Sequence, residues 1–209
     1  MHTRQRRAHL CPAFLAAALV LAATGPAVAE EEPEWDVNPG AVEFTKMAVP
    51  LMGATLGIML LIGDHEDADA ARYALDAMLT ADLAAEALKR VTRQPRPHKP
   101  AAEDGFPSGH STVAFAFARS LGEWQPGAKP VLYAFAATSG WARVQEGQHT
   151  WAQVVAGAAL GTWLAERSLE ATGGTWSGII APAQEGMPCR PSSCIGHRSS
   201  GLTVWEVSW

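Results

Sequence analysis

The chain has 209 residues, the size of one domain with additions, which excludes a large multidomain assembly. It is 48% hydrophobic and 18% charged with a mean hydropathy of +0.00, enough apolar material for a core, so disorder is excluded as the main state. No segment recurs at a fixed period, which excludes a repeat array. The composition is too polar for an ordinary polytopic membrane protein, yet poorer in charge than an average soluble domain.

Met1–Ala29 has the three parts of a secretory signal peptide. Arg4, Arg6 and Arg7 come first, an apolar run Leu10–Ala23 follows, and Ala27-Val28-Ala29 offers small residues for cleavage before Glu30-Glu31-Glu32. The apolar run is shorter than the roughly 17–25 residues of a membrane span. Removal of the leader leaves 180 residues with 13 basic and 21 acidic side chains, a net charge of −8, which disfavours nucleic acid as a partner. Residues 30–44, acidic and Pro-bearing at first, read as a mobile lead-in segment, and 45–170 as the helical domain.

Met47–Gly63 holds no charge over 17 residues, which fits a membrane span or a buried helix. Asp64–Val91 reads as a long helix, with Leu75, Leu79, Leu83 and Ala87 at four-residue spacing and acids gathered at its start. Pro95 and Pro97 end it. A turn at Gly105–Pro107 precedes a helix over Ser111–Leu121, a loop spans Trp124–Pro130, and further helices are expected over Val131–Trp141 and His149–Leu169. The uncharged run Gly147–Ala165, 19 residues, is also long enough to span, and contains Gly157-x3-Gly161. The fold class is therefore an all-α helical bundle. Residues 171–209 change character: Leu202–Trp209 alternates like a strand, and Cys189 and Cys194 are placed to form one disulfide in an exported protein, so a short β-hairpin-like appendage is expected there.

Three short segments put cations and imidazoles at helix ends. Lys89, Arg90, Arg93 and Arg96 crowd the end of the long helix, more densely than dipole capping requires, and suit a polyanion such as phosphate. Pro107-Ser108-Gly109-His110 opens the next helix, where free backbone N–H groups, the absent Cβ of Gly109 and the Ser108 hydroxyl make an anion cradle beside an imidazole that titrates near neutrality. Arg143 and His149 bring one more cation and one more imidazole, with Gln153 four residues after His149. No carboxylate or third His falls three or four residues after His110 or His149, so a metal reading lacks ligands. Two imidazoles among cations point to phosphoryl transfer by a nucleophile and an acid.

Lys-x6-Arg-Pro (Lys89, Arg96, Pro97), Pro-Ser-Gly-His (Pro107–His110) and Arg-x5-His (Arg143, His149) follow one another in order. This pattern resembles the three-part signature of the type 2 phosphatidic acid phosphatase and vanadium haloperoxidase superfamily, over about residues 45–168. The resemblance implies a helical bundle with a phosphatase site that needs no metal or other cofactor. It makes His149 the nucleophile, forming a phosphohistidine, and His110 the acid that protonates the leaving oxygen. It makes Lys89, Arg96, Ser108, Gly109 and Arg143 the binding set for phosphoryl oxygens, and leaves Arg93 at the entrance. The partner it implies is a phosphorylated small molecule or lipid, such as a phosphatidic acid or polyprenyl diphosphate.

Two positions depart from the pattern. Ala142 stands where a Ser is usual, and Gln153 where an Asp usually accepts the ring N–H of the nucleophile. Gln can still accept through its amide oxygen but adds no negative charge. His149–Val154 is similar to the dolichyl-diphosphatase type of members, in which Gln stands at that place. The alternatives are a vanadate-dependent haloperoxidase, which the short chain disfavours, and a non-catalytic protein that binds phosphate or a lipid head group. The expected location is outside the cytoplasm, periplasmic or membrane-associated with the site on the outer face.

Overall fold

The computed structural model describes residues 37–170, which form five α-helices and no strand. α1 covers Pro39–Leu61, α2 His65–Thr92, α3 Gly109–Trp124, α4 Lys129–Gln145 and α5 Trp151–Glu170, with a single 3₁₀ turn at Pro126–Ala128. The bundle agrees with the all-α expectation; the signal peptide, the β appendage and the Cys189–Cys194 pair lie outside the described residues.

Each boundary has a local cause. α1 starts at Pro39, inside the stretch 30–44 expected to be mobile, because the Asn38 side chain accepts from Gly40 N at 2.9 Å and Pro39 pre-sets the helical φ of the first turn. α2 starts one residue after Asp64, whose carboxylate accepts from Asp67 N at 3.0 Å. It ends at Arg93, a non-glycine residue in the left-handed region (φ 46°) whose N–H closes on Lys89 O. α4 runs past the expected end at Trp141 to Gln145, so Arg143 belongs to its last turn.

The uncharged run Gly147–Ala165 is not one span. It is interrupted before Trp151, where Thr150 Oγ1 accepts from Gln153 N at 3.3 Å and Gln153 Oε1 accepts from Thr150 N at 3.1 Å, a reciprocal cap of the Thr-x-x-Gln kind.

The core is built mainly from small side chains. On α2 the leucine stripe turns outward at Leu79 and Leu83, 41% and 60% exposed, while Leu75 packs at the edge of the core and Ala70, Ala71, Ala74, Ala77, Ala81 and Ala85 are buried. Alanines at these positions let the neighbouring helices come close, so the leucine period does not mark the centre of the core. α3 is the central helix, packed against α2, α4 and α5. One apolar cluster joins Met52 and Leu56 of α1 to Phe117 and Leu121 of α3, and Phe135 of α4 stacks against it, 5.5 Å from Phe44 and 6.5 Å from Phe117 between ring centroids. A second joins Ala77, Ala81 and Ala85 to Leu160 and Leu164 of α5.

Gly157 and Gly161 explain the closest contact. A Cβ on Gly157 would stand 2.6 Å from Ser108 O and 2.9 Å from Thr112 Oγ1, and one on Gly161 would overlap the Thr112 carbonyl. The Gly-x3-Gly pair thus works within the bundle, seating α5 on the backbone of α3. Gly161→Ala is expected to cost about 1–3 kcal/mol of stability through overpacking, read as a lowered midpoint in urea unfolding followed by circular dichroism.

Candidate active site

Three segments meet at one end of the bundle. The loop after α2 is tied down by main-chain bonds: Gly105 N donates to Gln94 O at 2.7 Å, and His98 N donates to Gly147 O at 2.8 Å, which joins it to the turn after α4. Thr92 Oγ1 donates to Phe106 O at 3.1 Å. The turn that follows, Phe106-Pro107-Ser108, is buried and carries a cis bond before Pro107. Ser108 N then donates to Gln153 O at 3.0 Å, which fixes the start of α3 against the start of α5.

At the start of α3 the first-turn N–H groups, from Gly109 onward, lack intrahelical partners. Ser108, the N-cap residue, makes no side-chain cap bond to them; its Oγ accepts from Ser111 Oγ at 3.2 Å, which leaves its own proton to donate. A Cβ on Gly109 would stand 3.2 Å from Lys89 Nζ, so the bare glycine is what lets the ammonium sit against this turn. Lys89 also meets Glu86 Oε1 at 2.5 Å. Arg96 grips Asp104 through two parallel bonds, Nε to Oδ1 at 2.7 Å and Nη2 to Oδ2 at 2.5 Å, and reaches Gln148 Oε1 with Nη1 at 2.8 Å. Arg96 holds the Asp104 carboxyl below its ordinary pKa. Arg143 Nη1 bonds Glu146 Oε2 at 2.5 Å.

His149 is buried. Its Nδ1 lies 2.9 Å from Gly105 O and 3.2 Å from Gln153 Oε1. Both partners are acceptors, so Nδ1 carries the proton and Nε2 keeps its lone pair. The orientation of the Gln153 amide is set independently, because its Nε2 donates to Pro95 O at 3.2 Å. Gly105 leaves the room for this: a Cβ there would stand 2.8 Å from Gln153 Nε2 and overlap Pro95 O.

Both imidazoles are disfavoured as cations. Burial, then Arg143, Lys89 and Arg96, push His110 down to about 4. Burial and Arg143 push His149 down to about 4 as well, against the Gly105 and Gln153 bonds, which favour the charged form. Burial also pulls Arg143 below its ordinary value, and Glu146 opposes that.

The structure therefore brings together Lys89, Arg96, Ser108, Gly109, His110, Arg143, His149 and Gln153. Arg93 lines, with Glu86, Lys89, Arg90, Glu103 and Asp104, a cleft of about 370 Å³. Among the described residues no group of three or more His, Cys, Asp or Glu is arranged to hold a metal ion.

Sequence reasoning missed the Gly105 carbonyl, Gln148 and Thr150, and the carboxylates of Glu86, Asp104 and Glu146. The Thr150-x-x-Gln153 capping pattern was readable in the sequence; the Gly105 carbonyl, a main-chain group, carried no sequence signal.

The PAP2 superfamily model matches residues 70–171, a stretch that holds all three segments. The chain belongs to the PAP2 superfamily. The match begins inside α2, so α1 lies outside it, although the resemblance in the sequence reached back to about residue 45. No curated protein and no solved structure matches the chain. Membership of the PAP2 superfamily brings phosphatase- or haloperoxidase-type activity.

The lowered imidazole values have a thermodynamic consequence. Between the ordinary His value of about 6.5 and the native value of about 4, the unfolded chain binds protons at His110 and His149 that the native state refuses. Native stability is therefore expected to fall as pH drops through that window. His110→Gln removes one share of the slope, which urea midpoints measured across the window will show.

Proposed function

We propose that the protein is a phosphohydrolase that works through a phosphohistidine on His149 and acts on phosphate monoesters or diphosphates of lipids. The observation that supports this most is the fixing of His149 Nδ1–H by Gly105 O and Gln153 Oε1, which leaves Nε2 as a nucleophile in a site whose other groups suit a phosphoryl anion. In the first half-reaction Nε2 attacks phosphorus and the bond to the leaving oxygen breaks, that oxygen taking its proton from His110. In the second, His110 accepts a proton from water as the water oxygen attacks phosphorus and the P–N bond breaks, releasing inorganic phosphate and restoring both imidazoles. Lys89, Arg96, Arg143, the Ser108 hydroxyl and the Gly109 N–H bind the phosphoryl oxygens and the charge that develops on them. The set comes entirely from protein side chains and backbone, and on this reading it calls for no metal.

Burial and the neighbouring cations disfavour a proton on His110. A bound phosphoryl dianion reverses that balance, because an opposite charge within a few ångströms favours the imidazolium. His110 is thereby armed by the substrate it must protonate.

A lipid substrate is supported by α1. It is the one helix among the described residues long and apolar enough to cross a membrane, and most of it is exposed. Met47, Leu51, Ile58 and Leu61 are exposed along one of its faces. With the leader read from the sequence, this supports a location outside the cytoplasm, at a membrane with the site toward the outer face.

Stopped reactions with a phosphorus-labelled substrate are expected to leave label on His149, and His149→Ala to abolish both label and phosphate release. Label without His149, or binding of phosphate with neither label nor turnover, would overturn the mechanism; the second result is that of a binding protein. The kcat/KM profile is expected to fall on the acid side as pH drops through about 4, where protonation removes the Nε2 lone pair. Carbonate extraction of membranes is expected to leave the protein in the pellet, and full release would remove the support for a lipid substrate.

A further inference from the structure

Each of the three cations assigned to the phosphoryl group already has an acid: Glu86 on Lys89, Asp104 on Arg96 and Glu146 on Arg143, each at 2.5 Å. The three pairs differ in surroundings. The side chains of Glu86 and Asp104 are 45% and 46% exposed, whereas that of Glu146 is 9% exposed and the Arg143 chain it meets 12%. Water and salt screen the first two acids, and exposed pairs of this kind are energetically minor. The Arg143–Glu146 pair is largely removed from water, so its charges act at lower effective dielectric and at greater strength.

The pairing is also incomplete. Arg96 uses two parallel bonds on Asp104, but Arg143 offers Glu146 a single nitrogen. Arg143 Nε and Glu146 Oε1 are both buried without a hydrogen-bond partner. A pair arranged for stability alone would close that second bond, since a buried polar atom left unpaired is costly. Arg143 instead keeps a donor uncommitted in a site whose imidazoles both feel its charge.

We propose that Glu146 is a positioning residue and a buried counter-charge for the phosphoryl cradle: it holds Arg143 in place through one nitrogen and offsets its positive charge, so that phosphate is bound loosely enough to leave. The proposal rests on the phosphohydrolase reading, and it gives Glu146 a task in product release. Three uncompensated cations would hold inorganic phosphate tightly and slow each turnover at its last step.

The test is equilibrium binding of inorganic phosphate and of orthovanadate to the wild-type protein, Glu146→Gln and Glu86→Gln, with thermal melts of each in the presence and absence of phosphate. Gln can still accept from Arg143 but carries no charge. Glu146→Gln is expected to bind phosphate on the order of tenfold more tightly or better, Glu86→Gln to shift affinity by less than about threefold because its acid is screened, and phosphate to raise the Tm of Glu146→Gln more than that of wild type.

Unchanged or weaker phosphate binding by Glu146→Gln would overturn the proposal, as would an equal gain from Glu86→Gln. Should Glu146→Gln fail to fold in phosphate-free buffer, recovery of the fold in phosphate is the expected result, and failure to recover counts against the proposal. Wild-type protein that binds neither anion would bring down the phosphohydrolase reading and this proposal with it, whereas wild-type binding with an unaltered Gln variant removes the role of Glu146 alone.

Discussion

The seating of α5 on α3 is the constraint on which the site depends. Helices normally keep their backbones apart by the width of their side chains; here Gly157 and Gly161 remove that width where they face Ser108 and Thr112. The start of α3 and the start of α5 are thereby close enough for Ser108 N to donate to Gln153 O. That single main-chain bond couples the turn whose first N–H groups lack intrahelical partners with the residue that orients His149. Ala85 and its neighbours do the same service for α2, allowing Lys89 to arrive against Gly109. A site assembled from three separate segments thus owes its geometry to the absence of side chains at a few positions.

Electrostatics then act on a frame already set. The chain carries a net charge of −5, yet gathers cations where α2 ends, and each cation of the cradle is answered by an acid. Positive charge nevertheless reaches the imidazoles: burial is the first cause of the lowered His110 and His149 values, and the cations push the same way. A polyanion entering such a site changes the protonation of what it meets, which links recognition to chemistry without any moving part.

Much of this was legible in the residues. The three motifs lay in order, the long helix over 64–91 came out as α2, and the all-α class followed from the lack of strand signal before residue 170. What the sequence concealed has physical reasons. The leucine spacing on α2 was a true helical period, but Leu79 and Leu83 face outward, because a core of closely approaching helices selects alanine and glycine, which periodicity arguments weigh lightly. The break between α4 and α5 was expected, but α5 starts at Trp151 and not at His149, because the chain turns at Gly147 (φ 64°) and the cap made by Thr150 and Gln153 sets the first helical residue. Of the acids on the cations, only Asp104 acquires its meaning from the fold alone; Glu86 and Glu146 lie three residues from Lys89 and Arg143, a spacing at which helical side chains meet.

The bond from His149 to Gly105 O has a further implication. A main-chain carbonyl belongs to no side chain, so no change of amino-acid identity deletes it while the loop keeps its path. The orientation of the ring is therefore inherited with the course of the backbone, and position 153 is released from being the sole keeper of it. A neutral amide in place of an acid there becomes an ordinary substitution, one that leaves the orientation of the ring in place.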